Sequence, residues 1–169
     1  MTNSRLKIKL RALAKNQKRP TNMIIFDIDN TIFEAVGTYE KDYDLKKFEK
    51  DNSFFRNLFL RKLPLFFEIK KYYDLGYLVI IQTARQKKWW LPIILILKGV
   101  QYHYLIQRPR GNITDTGKLK KRQLIDFIMQ HSEIKNPLVD FVDDSKINRD
   151  ELQTLNYVNV YNANKLNRR

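Results

Sequence analysis

The chain has 169 residues, no cysteine and two histidines, and 32 Lys and Arg residues against 18 Asp and Glu residues give it a formal net charge of +14. This length suits one domain with a single core, and the lack of cysteine excludes disulfides, zinc–thiolate sites and thiol nucleophiles. The charge predicts a polyanionic partner, with nucleic acid as the first candidate. We expect a cytoplasmic protein, with an organellar matrix as the alternative.

Residues 1–22 form a basic arm that carries seven Lys or Arg residues and no acidic residue. Leu6, Leu10 and Leu13 recur within it at helical spacing, which predicts an amphipathic segment. Three roles fit this pattern: contact with nucleic acid, docking as a helix, or an organellar presequence. The presequence is the least favoured of these, because neither serine enrichment nor a small-residue cleavage site accompanies the basic residues.

After the arm, short apolar runs alternate with longer helical patterns, which is typical of parallel βα units. We predict an α/β fold in which a mostly parallel five-stranded sheet lies between helices, a three-layer Rossmann-like architecture. The longest apolar run, residues 89–99, is too short to cross a bilayer, so we expect no membrane association. The predicted strands are residues 23–27, 77–82, 102–106, 138–142 and 157–161, and the predicted helices are residues 63–75, 89–98, 118–130 and 146–155.

The segment 34–61 is charged and aromatic and has no clear strand pattern. We interpret it as an insertion between the first strand and its crossover helix. Its length of about 28 residues exceeds that of an ordinary βα loop, and loops of this size are usually functional or lid-like. We therefore expect an arm over residues 1–22, followed by a domain over residues 23–165 that carries a small cap at about residues 34–61.

Three of the predicted strands end in polar side chains. These are Asp27 and Asp29 after the first strand, Thr83 and Arg85 at the second, and Asp143 and Asp144 at the fourth. Ligands of open parallel sheets bind at the carboxyl ends of the strands, so we expect these side chains to share one crevice. Neighbouring carboxylates need a counter-ion, and oxygen ligands favour Mg²⁺. The sequence therefore predicts a site for a metal ion and a phosphoryl group.

Four motifs occur in order along the chain: DIDNT at 27–31, QTAR at 82–85, a lysine before a predicted helix, and VDDSKINRDEL at 142–152. Together they resemble the four motifs of the haloacid dehalogenase (HAD) superfamily of phosphotransferases. Within that superfamily the chain is most similar to the 3′-phosphatase domain of phage polynucleotide kinase/phosphatase, through residues 107–128 and the paired aspartates of the last motif. The resemblance covers about residues 22–161.

The resemblance implies a Mg²⁺-dependent phosphomonoesterase that removes 3′-phosphates from nucleic-acid ends. It implies that Asp27 is the nucleophile that forms an aspartyl-phosphate, and that Asp29 protonates the leaving oxygen and then activates water. Mg²⁺ would bind the Asp27 carboxylate, the Asp29 main-chain carbonyl and Asp144. Asp143 would be either a ligand through water or an orienting acid.

Thr83 and Arg85 would bind the phosphoryl group in this scheme. The lysine of the third motif is ambiguous, because Lys118, Lys120 and Lys121 all open one predicted helix and helical periodicity does not decide among them. Spacing in the resembled family favours Lys120. Basic residues near the same strand edge favour a nucleic-acid 3′-phosphate as the substrate; they are Arg108, Arg110, Lys118, Lys121 and Arg122.

Two details and two other functions stay open at this point. Asn30 stands where the family most often has glycine, and asparagine tolerates a left-handed backbone. Trp89 and Trp90 can either stack on an exposed base or pack within the protein. One alternative function is a nucleotidase or small-molecule phosphatase, with residues 34–61 closing over the substrate. The other is a basic, non-catalytic component of a ribonucleoprotein. The sequence leaves the oligomeric state undetermined.

Overall fold

The computed structural model describes residues 22–35 and 54–168 of the chain. Within these residues the strands are β1 (Asn22–Phe26), β2 (Leu78–Gln86), β3 (Tyr104–Arg108), β4 (Leu138–Asp143) and β5 (Val158–Asn162). The helices are α1 (Phe54–Leu58), α2 (Pro64–Asp74), α3 (Leu91–Leu97), α4 (Thr116–Gln130), α5 (Lys146–Leu152) and α6 (Ala163–Leu166). The strands form one parallel sheet in the order β3-β2-β1-β4-β5. The predicted three-layer α/β architecture is confirmed.

Strand β1 lies at the centre of the sheet because its side chains are apolar on both faces. Residues 23–26 are all buried, and β1 pairs with β2 on one side and with β4 on the other. The chain builds outward from β1 to β3 and then returns to place β4 and β5 on the opposite side. The reversal lies between β1 and β4, and open α/β sheets bind ligands outside the carboxyl ends of the strands at such a point.

Side chains alternate along β1 and divide the core into two layers. Ile24 and Phe26 pack with residues of α2 and α3, whereas Met23 and Ile25 pack with residues of α4 and α5. Burial of each of these side chains stabilises the fold by about 1.5–3 kcal/mol. The two layers together fix the position of β1 in the sheet and therefore the position of the residues that follow it.

Most observed boundaries lie within about three residues of the predicted ones, and the larger differences are in β2 and in two short helices. Strand β2 continues to Gln86 instead of ending near Gln82, and its pairing with β3 shifts register between Thr83 and Gln86. The short helices α1 and α6 lie in segments for which the sequence predicts no helix. Such short elements are held by tertiary packing more than by their own propensity.

Much of the predicted arm and cap falls beyond what the structure describes. Residues 1–21 and 36–53 are outside the described ranges, so the division into arm, domain and cap remains a prediction. Of the described helices, none combines the length and the apolar character that a bilayer span requires.

Candidate active site

The ends of β1 and β4 bring three carboxylates together. Asp27 directly follows β1, and its N–H donates to the Val142 carbonyl of β4 at 3.0 Å. One carboxylate oxygen each from Asp27, Asp143 and Asp144 lies within 4.8 Å of the others. These residues come from opposite sides of the strand-order reversal, so the topology of the sheet creates the cluster. Oxygen atoms at this separation suit a hard divalent cation.

Lys120 lies inside this cluster. Its ammonium Nζ is 2.5 Å from Asp27 Oδ1 and 2.6 Å from Asp143 Oδ2, and the residue is only 1% exposed. Of the other two candidate lysines, Lys118 is exposed and Lys121 approaches Glu151 on the surface at 3.9 Å. Among the three lysines that open α4, Lys120 is therefore the one that contacts the carboxylates.

The first turns of helix α4 determine the position of Lys120. The Asp115 carboxylate caps the helix by accepting the Gly117 N–H at 3.0 Å. Gly117 allows a close approach to α5, because a Cβ at this position would lie 2.9 Å from Glu151 Cγ. Leu124 and Phe127, four and seven residues after Lys120, bury the same face of the helix. This stripe points Lys120 at the strand ends.

The cluster carries more negative than positive charge. Burial alone would lower the pKa of Lys120, but the carboxylates of Asp27 and Asp143 outweigh it and raise that pKa, so the amine stays protonated. Burial raises the pKa of Asp27 although Lys120 opposes this effect. Burial, followed by the charge of Asp143, also raises the pKa of Asp144. Three carboxylates around one ammonium leave an excess of negative charge, which a bound cation can neutralise.

Asp143 and Asp144 have different surroundings. The Asp143 carboxylate accepts from the Ser145 N–H at 2.8 Å, from Asn148 Nδ2 at 3.1 Å and from Lys120. The Asn30 side chain opposes the rise in the pKa of Asp144, and Asn30 has a φ of 51°, the left-handed conformation that asparagine tolerates. Asp143 is thus occupied by donors on both of its oxygens, and Asp144 is the more accessible of the two.

Arg85 binds Asp29. Its Nε donates to Asp29 Oδ2 at 2.8 Å, and its Nη2 donates to Asp29 Oδ1, a bidentate pair. Nη1 of Arg85 donates to the Asn57 side-chain carbonyl from α1. Thr83 Oγ1 accepts the Arg85 N–H at 3.1 Å within the irregular part of β2. In this structure the Arg85 guanidinium contacts Asp29 and Asn57, and its predicted contact with a phosphoryl group stays a prediction.

Two residues of the site were not predicted from the sequence. Asn57 lies in the insertion, where no pattern distinguishes it from the surrounding charged and aromatic residues. Asn148 lies in the first turn of α5 and both donates to Asp143 and accepts from Thr116 Oγ1 at 2.8 Å. Asn148 could have been proposed from the sequence as a partner of Asp143, because a polar residue that is buried near a strand end usually has a hydrogen-bonding partner there.

Arg108 does not occupy the surface position that the sequence predicts for it. The residue is 8% exposed. Its guanidinium donates to the backbone carbonyls of Ala84 at 2.8 Å, Asn112 at 3.1 Å and Thr114 at 2.6 Å. Arg108 therefore fastens the loop after β3 to the irregular part of β2. Arg110, Lys118 and Arg122 are exposed, as nucleic-acid contacts require.

We expect Arg108→Ala to lower the free energy of unfolding by about 1–3 kcal/mol, because it leaves three partly buried backbone carbonyls without their donor. Urea denaturation measures this change. Arg110→Ala is the matched control, since Arg110 is exposed and surface substitutions usually change stability by less than about 0.5 kcal/mol. Equal stability of the two variants would show that Arg108 is not a structural brace.

The two tryptophans after β2 have separate environments. Trp90 packs edge-on against Phe54 of α1, with ring centroids 6.2 Å apart and an interplanar angle of 89°. Trp89 is 74% exposed. The packing interpretation therefore applies to Trp90, and Trp89 has a free ring face at the end of β2 on which a base can stack.

The fold recurs in solved structures of low sequence identity. A chain of the Pnkp1/Rnl/Hen1 complex and a chain of the Pnkp1/Rnl/Hen1 RNA repair complex both superpose with a TM-score of 0.61 and 17% identity. The matches cover 85% of this chain but only 46% and 42% of those chains, so this chain spans less than half of their length. No protein-family model and no curated protein matches the sequence. At this identity the likeness establishes the fold alone.

Proposed function

We propose that this protein is a Mg²⁺-dependent phosphomonoesterase of the HAD type that removes the 3′-phosphate from a nucleic-acid end. The main support is the cluster at the strand ends, where Asp27, Asp143 and Asp144 lie within 4.8 Å of one another and Lys120 is buried against two of them. A fold needs no such concentration of buried charge for its stability. Perturbed ionisable groups of this kind are typical of catalytic sites.

The donor set of this cluster fits Mg²⁺. Every ligand on offer is an oxygen, as Mg²⁺ prefers. Asp27 and Asp144 would hold the ion, and Asp143, whose oxygens already accept from Lys120 and Asn148, fits the role of an orienting acid. When bound, the ion would neutralise the charge on the phosphoryl oxygens.

In the proposed reaction, an Asp27 oxygen bonds to phosphorus while the ester bond to the leaving 3′-oxygen breaks and that oxygen takes a proton. Water then hydrolyses the aspartyl-phosphate, which restores the carboxylate and releases inorganic phosphate. Lys120 fixes the position of the nucleophile through its contact with Oδ1. Asp29, oriented by Arg85, is close enough for its charge to act on Asp27 and would exchange the protons.

Three observations support a nucleic-acid substrate. The chain carries a net charge of +14, the side chains of Arg110, Lys118 and Arg122 are exposed, and Trp89 offers a ring for base stacking. The structural neighbours come from an RNA repair complex, which agrees with action on nucleic-acid ends. Lys121 can also contribute to the basic surface if it gives up its long ion pair with Glu151.

A substrate panel tests the proposal. Phosphate release is measured from 3′-phosphorylated RNA and DNA oligonucleotides and from nucleoside 3′-monophosphates, with Mg²⁺ and with a chelator. We expect release from the oligonucleotides in Mg²⁺ only, with a steep loss of activity as salt rises. Faster, salt-insensitive turnover of mononucleotides would favour the nucleotidase. Retention of RNA without phosphate release from any substrate would favour a ribonucleoprotein component.

A further inference from the structure

Acidic and basic residues are distributed unevenly over the fold. Residues 54–67 and 84–114, which contain α1, the end of β2, α3 and β3, include nine Lys or Arg residues and no acidic residue. Residues 115–152, which contain α4, β4 and α5, include seven Lys or Arg residues and eight Asp or Glu residues. Of these two parts, only the one on the β2–β3 half of the sheet has an excess of positive charge.

Two segments of this half meet beside the candidate active site. The Lys87 N–H donates to the Arg108 carbonyl at 2.8 Å, and the Lys88 N–H donates to the Gln107 side-chain carbonyl at 3.1 Å. The chain just after β2 and the loop just after β3 therefore form one surface at the carboxyl ends of these strands. This surface adjoins the site, because Arg85 lies only two residues before Lys87.

The strand-end surface, formed by residues 86–89 and 109–113, combines basic and apolar side chains. Trp89 is 74% exposed and Ile113 is 94% exposed, while the basic side chains of Lys87 and Arg110 are exposed beside them. Positive charge together with an exposed aromatic ring is typical of surfaces that bind single-stranded nucleic acid, which supplies phosphates and unpaired bases.

Helix α4 also carries exposed basic residues, but these have acidic neighbours. Arg122 Nε lies 3.8 Å from the Asp126 carboxylate, and Lys121 Nζ lies 3.9 Å from the Glu151 carboxylate. The nearby acids weaken the attraction of this helix for a phosphate backbone. The strand-end surface has no acid in its own sequence, so it is the more favourable path for a polyanion that leaves the site.

The exposed ring lies within reach of the first nucleotides of such a strand. Trp89 follows Arg85 by four residues, which span at most roughly 13–14 Å. This is about the length of four stacked nucleotides at a rise of about 3.4 Å each. A base close to the bound phosphate can therefore meet the indole.

We propose that the nucleotides preceding the 3′-phosphate bind as a single strand on the strand-end surface, with one base stacked on Trp89 and backbone phosphates held by Lys87 and Arg110. The inference rests on the proposed function for the position of the 3′-phosphate. Stacking on a protein ring requires a base whose face is free. The substrate is therefore a single-stranded end, and a 3′-phosphate at the end of a blunt duplex is a poor one.

Trp89 fluorescence tests the binding directly, because the chain has only two tryptophans. In the full-length Trp90→Phe variant Trp89 is the single emitter, and Trp89→Phe, which retains the Trp90 that packs on Phe54, is the matched control. Each variant is titrated at low salt with an oligonucleotide that lacks a 3′-phosphate, as a single strand and as a blunt duplex. We expect the single strand to quench Trp89, and neither the duplex nor the control to show this change.

Two double variants test the phosphate contacts. Lys87→Ala/Arg110→Ala should lower the slope of log affinity against log salt by about 1.4, since each contact with a single strand contributes about 0.7. Lys135→Ala/Lys165→Ala removes the same charge from exposed positions before β4 and after β5, and it should leave the slope unchanged. Equal slopes for the two variants would overturn the assignment of these contacts.

Kinetics with Trp89→Ala connect the binding path to the site. The variant should raise KM for a 3′-phosphorylated oligonucleotide, relative to KM for an aryl phosphate that has no base to stack, by about 5- to 150-fold. Quenching without phosphate release would support the path and contradict only the proposed function. Phosphate release without quenching, and with an unchanged KM ratio, would overturn the path alone.

Two other results would also overturn the inference. A larger loss of affinity in Lys118→Ala/Arg122→Ala than in Lys87→Ala/Arg110→Ala would place the strand along α4. Binding to vesicles of anionic phospholipid, without binding to any oligonucleotide, would assign the exposed apolar and basic side chains to a lipid surface.

Discussion

Replacement of Asp27 by asparagine should abolish phosphate release from a 3′-phosphorylated oligonucleotide, with a loss in kcat of at least about 10⁴-fold. Asparagine keeps the shape and the hydrogen-bond acceptor that meets Lys120, but its amide cannot form the aspartyl-phosphate. The measurement is inorganic phosphate released under saturating Mg²⁺. Asp126→Asn, at an exposed acid of α4, is the control and should retain wild-type kcat.

The same variant should fold at least as stably as the wild type. Burial raises the pKa of Asp27, which means that the folded site resists its ionised form. The asparagine side chain carries no charge, so the cost of burying an ionised carboxylate is gone. Urea denaturation should therefore show no loss in the free energy of unfolding. Turnover by Asp27→Asn within about tenfold of wild type would refute the nucleophile assignment, because this loss is below what removal of an essential nucleophile causes.

Replacement of Lys120 by methionine should produce the largest loss of stability at the site, about 3–5 kcal/mol in the free energy of unfolding. The ammonium is the positive partner of Asp27 and Asp143, which are both buried. Without it, two carboxylates face each other in a medium of low polarity. Lys118→Met, two residues earlier on the exposed side of α4, should change stability by less than about 0.5 kcal/mol.

Two further measurements separate electrostatics from packing in this variant. Addition of Asp27→Asn to Lys120→Met should restore part of the lost stability, because one of the unpaired charges is then gone. Mg²⁺ should raise the Tm of Lys120→Met more than that of wild type, since the ion can supply the missing charge. Full stability of Lys120→Met in a chelator would contradict the account of this cluster.

The fold was predictable because its strands are nearly continuous apolar runs. Residues 23–26 can only lie in the centre of a sheet that is covered on both faces, and this placement fixes the edge at which Asp27 emerges. The end of β2 was not predictable in the same way. The chain there passes from apolar to polar residues at Gln82, yet Thr83 to Gln86 stay in the strand through an irregular pairing with β3 that no local pattern indicates.

The site was predictable as far as it depends on strand ends. The meeting of Asp27 with Asp143 and Asp144 follows from the strand order, which the sequence could only suggest. The contact of Arg85 with Asp29 could not be foreseen, since it depends on the irregular end of β2 and on Asn57 from the insertion.

The sequence contains a pattern that distinguishes Lys120 from the other two lysines. Lys120, Leu124 and Phe127 recur with a spacing of four and three residues, which marks one buried face of a helix. A pattern of Leu124, Ile125 and Ile128 does not single out Lys120, because Ile125 and Ile128 are only partly buried. No sequence pattern distinguishes the role of Arg108. A basic residue at a strand end gives the same pattern whether its side chain turns inward to backbone carbonyls or outward to solvent.

The most direct test of the central claim is the mass of the acid-quenched Asp29→Asn variant after mixing with an aryl phosphate and Mg²⁺. An aryl leaving group needs no proton from Asp29, whereas hydrolysis of the intermediate needs Asp29 to take a proton from the attacking water, so the intermediate should accumulate. We predict one added phosphoryl group on the peptide that contains Asp27, absent in the chelator and in the Asp27→Asn/Asp29→Asn variant. Release of the aryl alcohol in Mg²⁺ with a phosphoryl group on any other residue would contradict the account.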